Sequence, residues 1–314
     1  MGTPEFAVPS LDILLSNGCT VAAVVTAPDK PRGRGQVLSP TPVKELALAR
    51  GLPVLQPPRL SEPAFAGALA SHHPDIIVVV AFRILPPAVY SLARVGAFNL
   101  HASLLPRYRG AAPINRALMN GETETGVTTF LLREKVDTGT MLLQARVPIR
   151  EYDDAGTLHD KLAEVGAEIV LHTVRLMEMG KISPHEQDDA AATPAPRILR
   201  QDCLISWNRP PDTIVNHIRG LAPSPAAFTF HAGRQIKVFR AKVTDTVVRC
   251  APGEVAVFDR HLVVGAEGGS VSVLELQLEG RKRMTAEEFL RGYPLKSGEF
   301  LGTDAGDQLK NGKP

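Results

Sequence analysis

Ala97-Phe98-Asn99-Leu100-His101-Ala102-Ser103-Leu104-Leu105-Pro106 reads as a short strand, residues 97–101, running into a turn that a proline closes. Side chains two apart on a strand point to the same side, so Asn99 and His101 project together into one pocket. Downstream, Val136-Asp137-Thr138-Gly139 adds a carboxylate. Acyl transfer uses that combination. An amide donates to a developing oxyanion, an imidazole shuttles a proton, and a buried carboxylate holds the imidazole in one tautomer. The competing reading is structural: Asn and His at a strand end commonly satisfy backbone groups.

Around this strand, apolar β-rich runs alternate with helical patterns through the first half, which predicts a parallel α/β sheet. Residues 19–27, 75–81 and 98–102 read as strands. Residues 42–50 read as a helix, with Pro42 at its first turn and Gly51 past its end. Residues 60–71 and 86–94 are further helical candidates. Residues 157–179 carry Leu158, Leu162, Val165, Ile169, Val170, Val174 and Met177 on one face, with Gly180 after them, and predict the helix that closes the first domain. Residues 183–200, rich in Asp, Ala, Pro and Thr and without periodicity, read as a linker or an arm laid across the surface. Beyond them residues 214–219 read as a short helix, and 226–231, 235–243, 253–258, 261–266 and 270–277 as strands between Gly, Pro and Asp turns. Five short strands with a flanking helix suit a small barrel of the oligonucleotide-binding (OB) kind. The predicted organisation is a catalytic domain over residues 1–182, a linker over 183–201 and an OB-like domain over 202–314.

Composition narrows the class. A chain of 314 residues, 44% hydrophobic and 22% charged, can bury one large or two ordinary cores. The longest apolar run, residues 76–82, is too short to cross a bilayer, and the N-terminus lacks a signal-peptide pattern, so the expected location is the cytosol. Cys19, Cys203 and Cys250 lie far apart, implying neither a zinc site nor a disulfide framework. His159, His172, His185, His217, His231 and His261 have no partners at ligand spacing, and Trp207 reads as core. Residues 1–196 carry 18 Lys and Arg against 20 Asp and Glu, whereas residues 197–314 carry 17 against 13. That asymmetry is consistent with a second domain facing a polyanion, or with a solvated mixed-charge surface. Gly33 and Gly35 do not sit between a strand and a helix, so no phosphate-cradling fingerprint is present. A surface loop of Lys30, Arg32, Arg34 and Lys44 could instead lie against a nucleic-acid backbone. Arg281-Lys282-Arg283 is a solvated face or a second phosphate contact.

The motif Asn99-x-His101-x-Ser103-Leu104-Leu105-Pro106-x-Tyr108-Arg109-Gly110-Ala111-x-Pro113, with Asp137-Thr138-Gly139 downstream, resembles the folate-dependent formyltransferases that use 10-formyltetrahydrofolate. Three further stretches resemble the members of that family that act on charged initiator tRNA. These are residues 2–7, residues 28–35 through 40–44, and Ile205-Ser206-Trp207-Asn208 to residues 218–225, so the resemblance spans nearly the whole chain. It implies a Rossmann-like, parallel-rich formyltransferase domain followed by the OB-like barrel. It also implies an enzyme of translation initiation that moves a formyl group onto the α-amino group of methionine on initiator tRNA. Asn99, His101 and Asp137 would be catalytic. Ser103, Leu104, Leu105 and Pro106 would lie at the folate site, with residues 78–82 and Asp137 near the pterin and Arg107, Tyr108 and Arg109 at the mouth. The basic loop would approach the tRNA acceptor end. The formyl donor would be a co-substrate, no metal would be required, and a monomer is expected. A small amine or water as acceptor, or a tRNA-binding protein without catalysis, are the alternatives; the basic loop and extra barrel speak against the first, the intact triad against the second.

The chain departs from the family pattern twice. Ala81-Phe82-Arg83-Ile84-Leu85-Pro86 is one residue short and lacks the usual Tyr-Gly pair, and the hydrophobic strand that precedes Gly2-Thr3-Pro4 in the family is missing. The pattern therefore predicts about five to ten mostly apolar residues upstream of Met1, an ordinary strand length.

Overall fold

The computed structural model describes residues 1–32, 37–244 and 250–302. In chain order the elements are α1 (Val8–Ser16), β1 (Val24–Val25), β2 (Lys30–Arg32), β3 (Val37–Ser39), α2 (Pro42–Ala49), β4 (Val54–Leu55), α3 (Pro63–Ala70), β5 (Ile76–Val80), α4 (Pro87–Tyr90), β6 (Gly96–His101), α5 (Pro113–Met119), β7 (Glu124–Leu131), β8 (Met141–Pro148) and α6 (Ala155–Glu178). They continue with α7 (Pro211–Leu221), β9 (Ala227–His231), β10 (Arg234–Val243), β11 (Val255–Phe258), β12 (His261–Ala266), β13 (Gly269–Leu278), β14 (Met284–Thr285) and α8 (Ala286–Gly292). Two compact units result. One is Met1–Pro113 with Glu124–Pro148 and His159–Pro196; the other joins Ile114–Thr123 and Ile149–Leu158 to the residues from Arg197 on.

In the first unit the β-branched run of β5 pairs in parallel with β6, setting Val79 beside Asn99. On its other side β6 pairs antiparallel with β7, with Asn99 opposite Phe130 and His101 opposite Thr128, and β7 pairs antiparallel with β8. The α/β class stands, with the parallel β1–β4 and β5–β6 pairs extended by an antiparallel hairpin. Helix α2 begins as its sequence predicts: Pro42 opens it and the Thr41 hydroxyl accepts the Lys44 amide at 3.2 Å. On α6 the apolar face is buried at every named position except the half-buried Val165.

The predicted strand over residues 19–27 shrinks to β1, and the reason lies beside it. Met1 and Gly2 run between β1 and β5: Gly2 N donates to Val25 O at 3.0 Å, Val80 N to Met1 O at 2.9 Å, and the Met1 amine to Val78 O at 2.6 Å. Beyond that point no strand of the described residues fills the space, and a groove of about 570 Å³ opens, lined by Leu14, Val21, Ala23, Ile76 and Val78 among others. Residues 19–23 stay out of the sheet. Burial pushes the Met1 amine down to about 5.

The second unit is one antiparallel sheet in the order β11-β12-β13-β10-β9, with β14 on β13. Residues 299–302 close it. Val255 N donates to Glu299 O and Leu301 N to Gly253 O on one side, while Phe230 and Gly302 exchange both backbone bonds on the other. The two end strands are thus bridged and the sheet becomes the expected barrel. Gly253 makes room: its φ is +83°, and a Cβ would stand 2.6 Å from Leu301 O. Ile214, Ile218 and Leu221 of α7 and Trp207 pack into the barrel core, and the Trp207 indole donates to the Thr229 hydroxyl at 3.2 Å.

Candidate active site

Strand β6 carries the site because its two polar side chains alternate with Phe98 and Leu100, both buried on the opposite face. His101 is only 6% exposed, and its Nε2 lies 2.8 Å from the Tyr108 carbonyl. A carbonyl can only accept, so the Nε2 proton is fixed there and Nδ1 is the position where a proton is gained or lost. Nδ1 faces Asp137 Oδ2 at 3.8 Å. That is ion-pair range but too long for a hydrogen bond. The imidazole is therefore oriented by Tyr108, and Asp137 stands opposite its other nitrogen. The Asn99 amide is half-buried and takes part in no hydrogen bond among the described residues, which leaves it free to donate to a ligand.

Asp137, 8% exposed, has a φ of +54°, a left-handed conformation that Asp tolerates better than most residues. Its Oδ2 accepts the Gly110 amide at 3.0 Å. Two residues on, Gly139 has no alternative, since a Cβ there would lie 1.6 Å from the Leu131 carbonyl. Asp-Thr-Gly is thus a backbone requirement as well as a carboxylate.

The Ser103–Pro106 turn is held by three peptide hydrogen bonds. Ser103 O accepts from the Thr128 hydroxyl at 2.7 Å, Leu105 N donates to the same hydroxyl at 3.1 Å, and Leu105 O accepts the Gln144 amide at 2.7 Å. Those peptide groups are paired inside the protein, and Leu104 and Pro106 are half-buried. Tyr108 is buried rather than at a mouth, and Arg109 is engaged by Gln187 and by Asp189, whose carboxyl the Arg109 hydrogen bond holds below its usual range. In the shortened segment, Arg83 stacks over Phe82 and donates to the Pro57 and Pro58 carbonyls at 2.8 and 2.9 Å, tying it to the neighbouring loop.

Residues 183–196 form the surface-laid arm of the first unit. His185 exchanges both backbone bonds with Met141, the Thr193 hydroxyl accepts the Tyr108 amide at 2.9 Å, and Ala195 N donates to Arg109 O at 2.6 Å. Gly110 is required where it passes, because a Cβ would meet Ala195 O at 2.6 Å. Sequence reading assigned this stretch no role at the site, and its lack of periodicity offered no signal.

Of the basic loop, Gly33, Arg34 and Gly35 lie outside the described residues. Lys44 is paired with Asp29 at 2.6 Å. In the second unit Arg283 pairs with Glu275 and stacks on Phe239, which favours the structural reading of that basic triplet. Among the described residues no group of three or more His, Cys, Asp or Glu could hold a metal ion, and no helix is long and apolar enough to cross a membrane.

Comparison with known proteins places this geometry. The profile described as formyl transferase matches residues 1–174, and that described as formyl transferase, C-terminal domain, matches residues 197–294. Methionyl-tRNA formyltransferase of Syntrophus aciditrophicus is 48% identical over 96% of this chain and 97% of its own length, and that of Chlorobium phaeovibrioides 47% over 96% and 97%. The N-formyltransferase from Helicobacter canadensis, solved with folinic acid and dTDP-3-aminofucose, shares the fold with a TM-score of 0.67 at 19% identity, over 87% of this chain and 96% of that one. Both parts of the chain, in the same order and at nearly full length, therefore belong to the formyltransferase family, with the methionyl-tRNA formyltransferases as near relatives.

Proposed function

We propose that the chain transfers the formyl group of 10-formyltetrahydrofolate to the α-amino group of methionine carried by initiator tRNA, in the cytosol. The observation that carries this reading is near-half identity to methionyl-tRNA formyltransferases along almost the entire length of both proteins. The reaction joins the amine nitrogen to the formyl carbon and breaks that carbon's bond to the folate nitrogen. Asn99 donates to the oxyanion that develops on the formyl oxygen. His101 takes the proton released by the attacking amine at Nδ1 and returns one to the departing folate nitrogen, while Asp137 stabilises the imidazolium. Tyr108 keeps the ring turned the right way throughout. The Ser103–Pro106 turn borders the donor, with Leu104 and Pro106 packing on it. A positioned acid–base group contributes roughly 10²–10⁴ in rate, and one oxyanion donor roughly 10²–10³.

Incubating the protein with donor labelled in the formyl group, with charged initiator tRNA and with glycinamide ribonucleotide in parallel, should place label on the tRNA alone. Label on the ribonucleotide, or released as formate without an acceptor, would reassign the acceptor.

Neutralising Arg32 and Arg34 together should weaken tRNA binding regardless of sequence and flatten its salt dependence, because phosphate contacts act by counterion release. Donor binding should not change. Unaltered tRNA affinity with an unaltered salt slope removes the loop from the interface.

A further inference from the structure

We infer that Gln187 is a positioning residue for the reaction, holding Asp137 opposite His101 from the arm of residues 183–196. Its side-chain amide is fully engaged, and every partner belongs to the site. Nε2 donates to the Asp137 carbonyl at 2.9 Å and to the Gly139 carbonyl at 2.8 Å, straddling the turn in which Asp137 is left-handed. Oε1 accepts from Arg109 Nε at 3.0 Å and Nη2 at 2.7 Å. The residue after Arg109 is Gly110, whose amide binds the Asp137 carboxylate at 3.0 Å. The contacts make a closed ring: Asp137 backbone, Gln187, Arg109, Gly110, Asp137 carboxylate. Such a ring fixes both ends of Asp137 at once, so the carboxylate keeps its 3.8 Å station before His101 Nδ1. Second-layer contacts of this kind orient the groups that do the chemistry, and their loss costs roughly 10–100-fold.

Only an amide completes the ring, since it offers donors on one side and an acceptor on the other. A glutamate at the same position keeps the Arg109 contact but turns a carboxylate oxygen toward the Asp137 and Gly139 carbonyls, where only a donor fits. Gln187→Glu therefore separates holding the arm from holding Asp137. Gln187→Met, similar in size and uncharged, loses both and serves as the second variant. Glu186→Gln is the control, because it weakens the exposed ion pair to Arg133, keeps an oxygen to accept the Thr140 hydroxyl, and changes no member of the ring.

The inference rests on the formyl-transfer reading, so one readout is kept independent of turnover. In Gln187→Glu and Gln187→Met, kcat should fall roughly 10–100-fold, KM for donor and tRNA should each stay within about threefold, and the pH profile of kcat should be displaced. Amide exchange at Gly110 should accelerate about tenfold in both, as its carboxylate acceptor loosens. Glu186→Gln should match the parent chain in all of these. Unchanged kcat, a rise in KM alone, unaltered Gly110 exchange, or an equal loss in Glu186→Gln each overturns the assignment. If the parent chain transfers no formyl group, the functional reading fails, while Gly110 exchange still decides whether Gln187 holds Asp137.

Discussion

Alanine in place of Asn99, His101 or Asp137 lowers turnover by at least about a hundredfold, the lower end of what an oxyanion donor or an acid–base group contributes. The three losses have different origins. The Asn99 side chain makes no hydrogen bond among the described residues, so its alanine variant should fold as the parent does and fail only at the oxyanion. Removing His101 takes away its 2.8 Å contact with the Tyr108 carbonyl as well as the proton carrier, so some stability goes with the activity. Removing Asp137 also frees the Gly110 amide, whereas Asp137→Asn retains an acceptor for that amide and lacks only the charge. Asparagine should therefore restore thermal stability lost in the alanine variant without restoring turnover. Steady-state rates with thermal unfolding on the same samples provide the check: full activity in any folded variant strikes that residue from the mechanism.

The groove between β1 and β5 sets up the second large effect. A chain extended before Met1 by about six mostly β-branched residues, an ordinary strand length, should unfold at least about 5 °C higher. The added segment would continue the run that Met1 and Gly2 already make, pairing with Val21 and Ala23 on one side and Ile76 on the other. It would also replace a buried amine with an amide. The amine's value falls from 8.0 unfolded to about 5 folded, so folding is unaffected by it above pH 8 and is progressively opposed as pH falls to 5. At pH 7 that opposition is about 1.4 kcal/mol, rising to about 4 kcal/mol below pH 5. His217, also pushed down by burial, tilts stability the same way in both chains and cancels from their difference. Melting curves of the two chains from pH 9 to pH 5 should diverge steadily; parallel curves at the same temperature would mean that the groove gains nothing from a strand.

How far the sequence is legible depends on where each element finds its partners. β12 matches its predicted bounds, and β6, α2 and α6 nearly so, because periodicity, caps and turns are local signals. β7 and β8 escape. In Glu124–Leu131 the inward positions include Thr125, Thr128 and Thr129, which read as polar yet are buried. Each buried hydroxyl of the latter two is satisfied from afar, Thr128 by Ser103 and Thr129 by Thr173, and no local pattern announces such a partner. The grouping of Asn99, His101 and Asp137 was legible because strand alternation and a compact motif bring them together. Gln187 was not, since its meaning depends on carbonyls 48 and 50 residues away and on an arginine 78 residues away. Tyr108 likewise reads as a loop side chain, while its contribution to the site is its carbonyl oxygen.

The closing of the barrel by residues 299–302 imposes an order on the birth of the molecule. The second unit also needs Ile114–Thr123 and Ile149–Leu158, segments that leave the ribosome long before the stretch that completes their surroundings. At roughly 5–20 residues per second, the interval from α5 to the closing segment lasts on the order of ten to forty seconds. Throughout that time Met119 waits for the core it packs against, β11 is bare at its outer edge once made, and β9 is met there only by Leu204 and Ile205 at Phe228. A nascent chain stalled before residue 299 should therefore be held by chaperones that grip apolar segments, and should let them go only when Phe300, Leu301 and Gly302 emerge to seal the sheet.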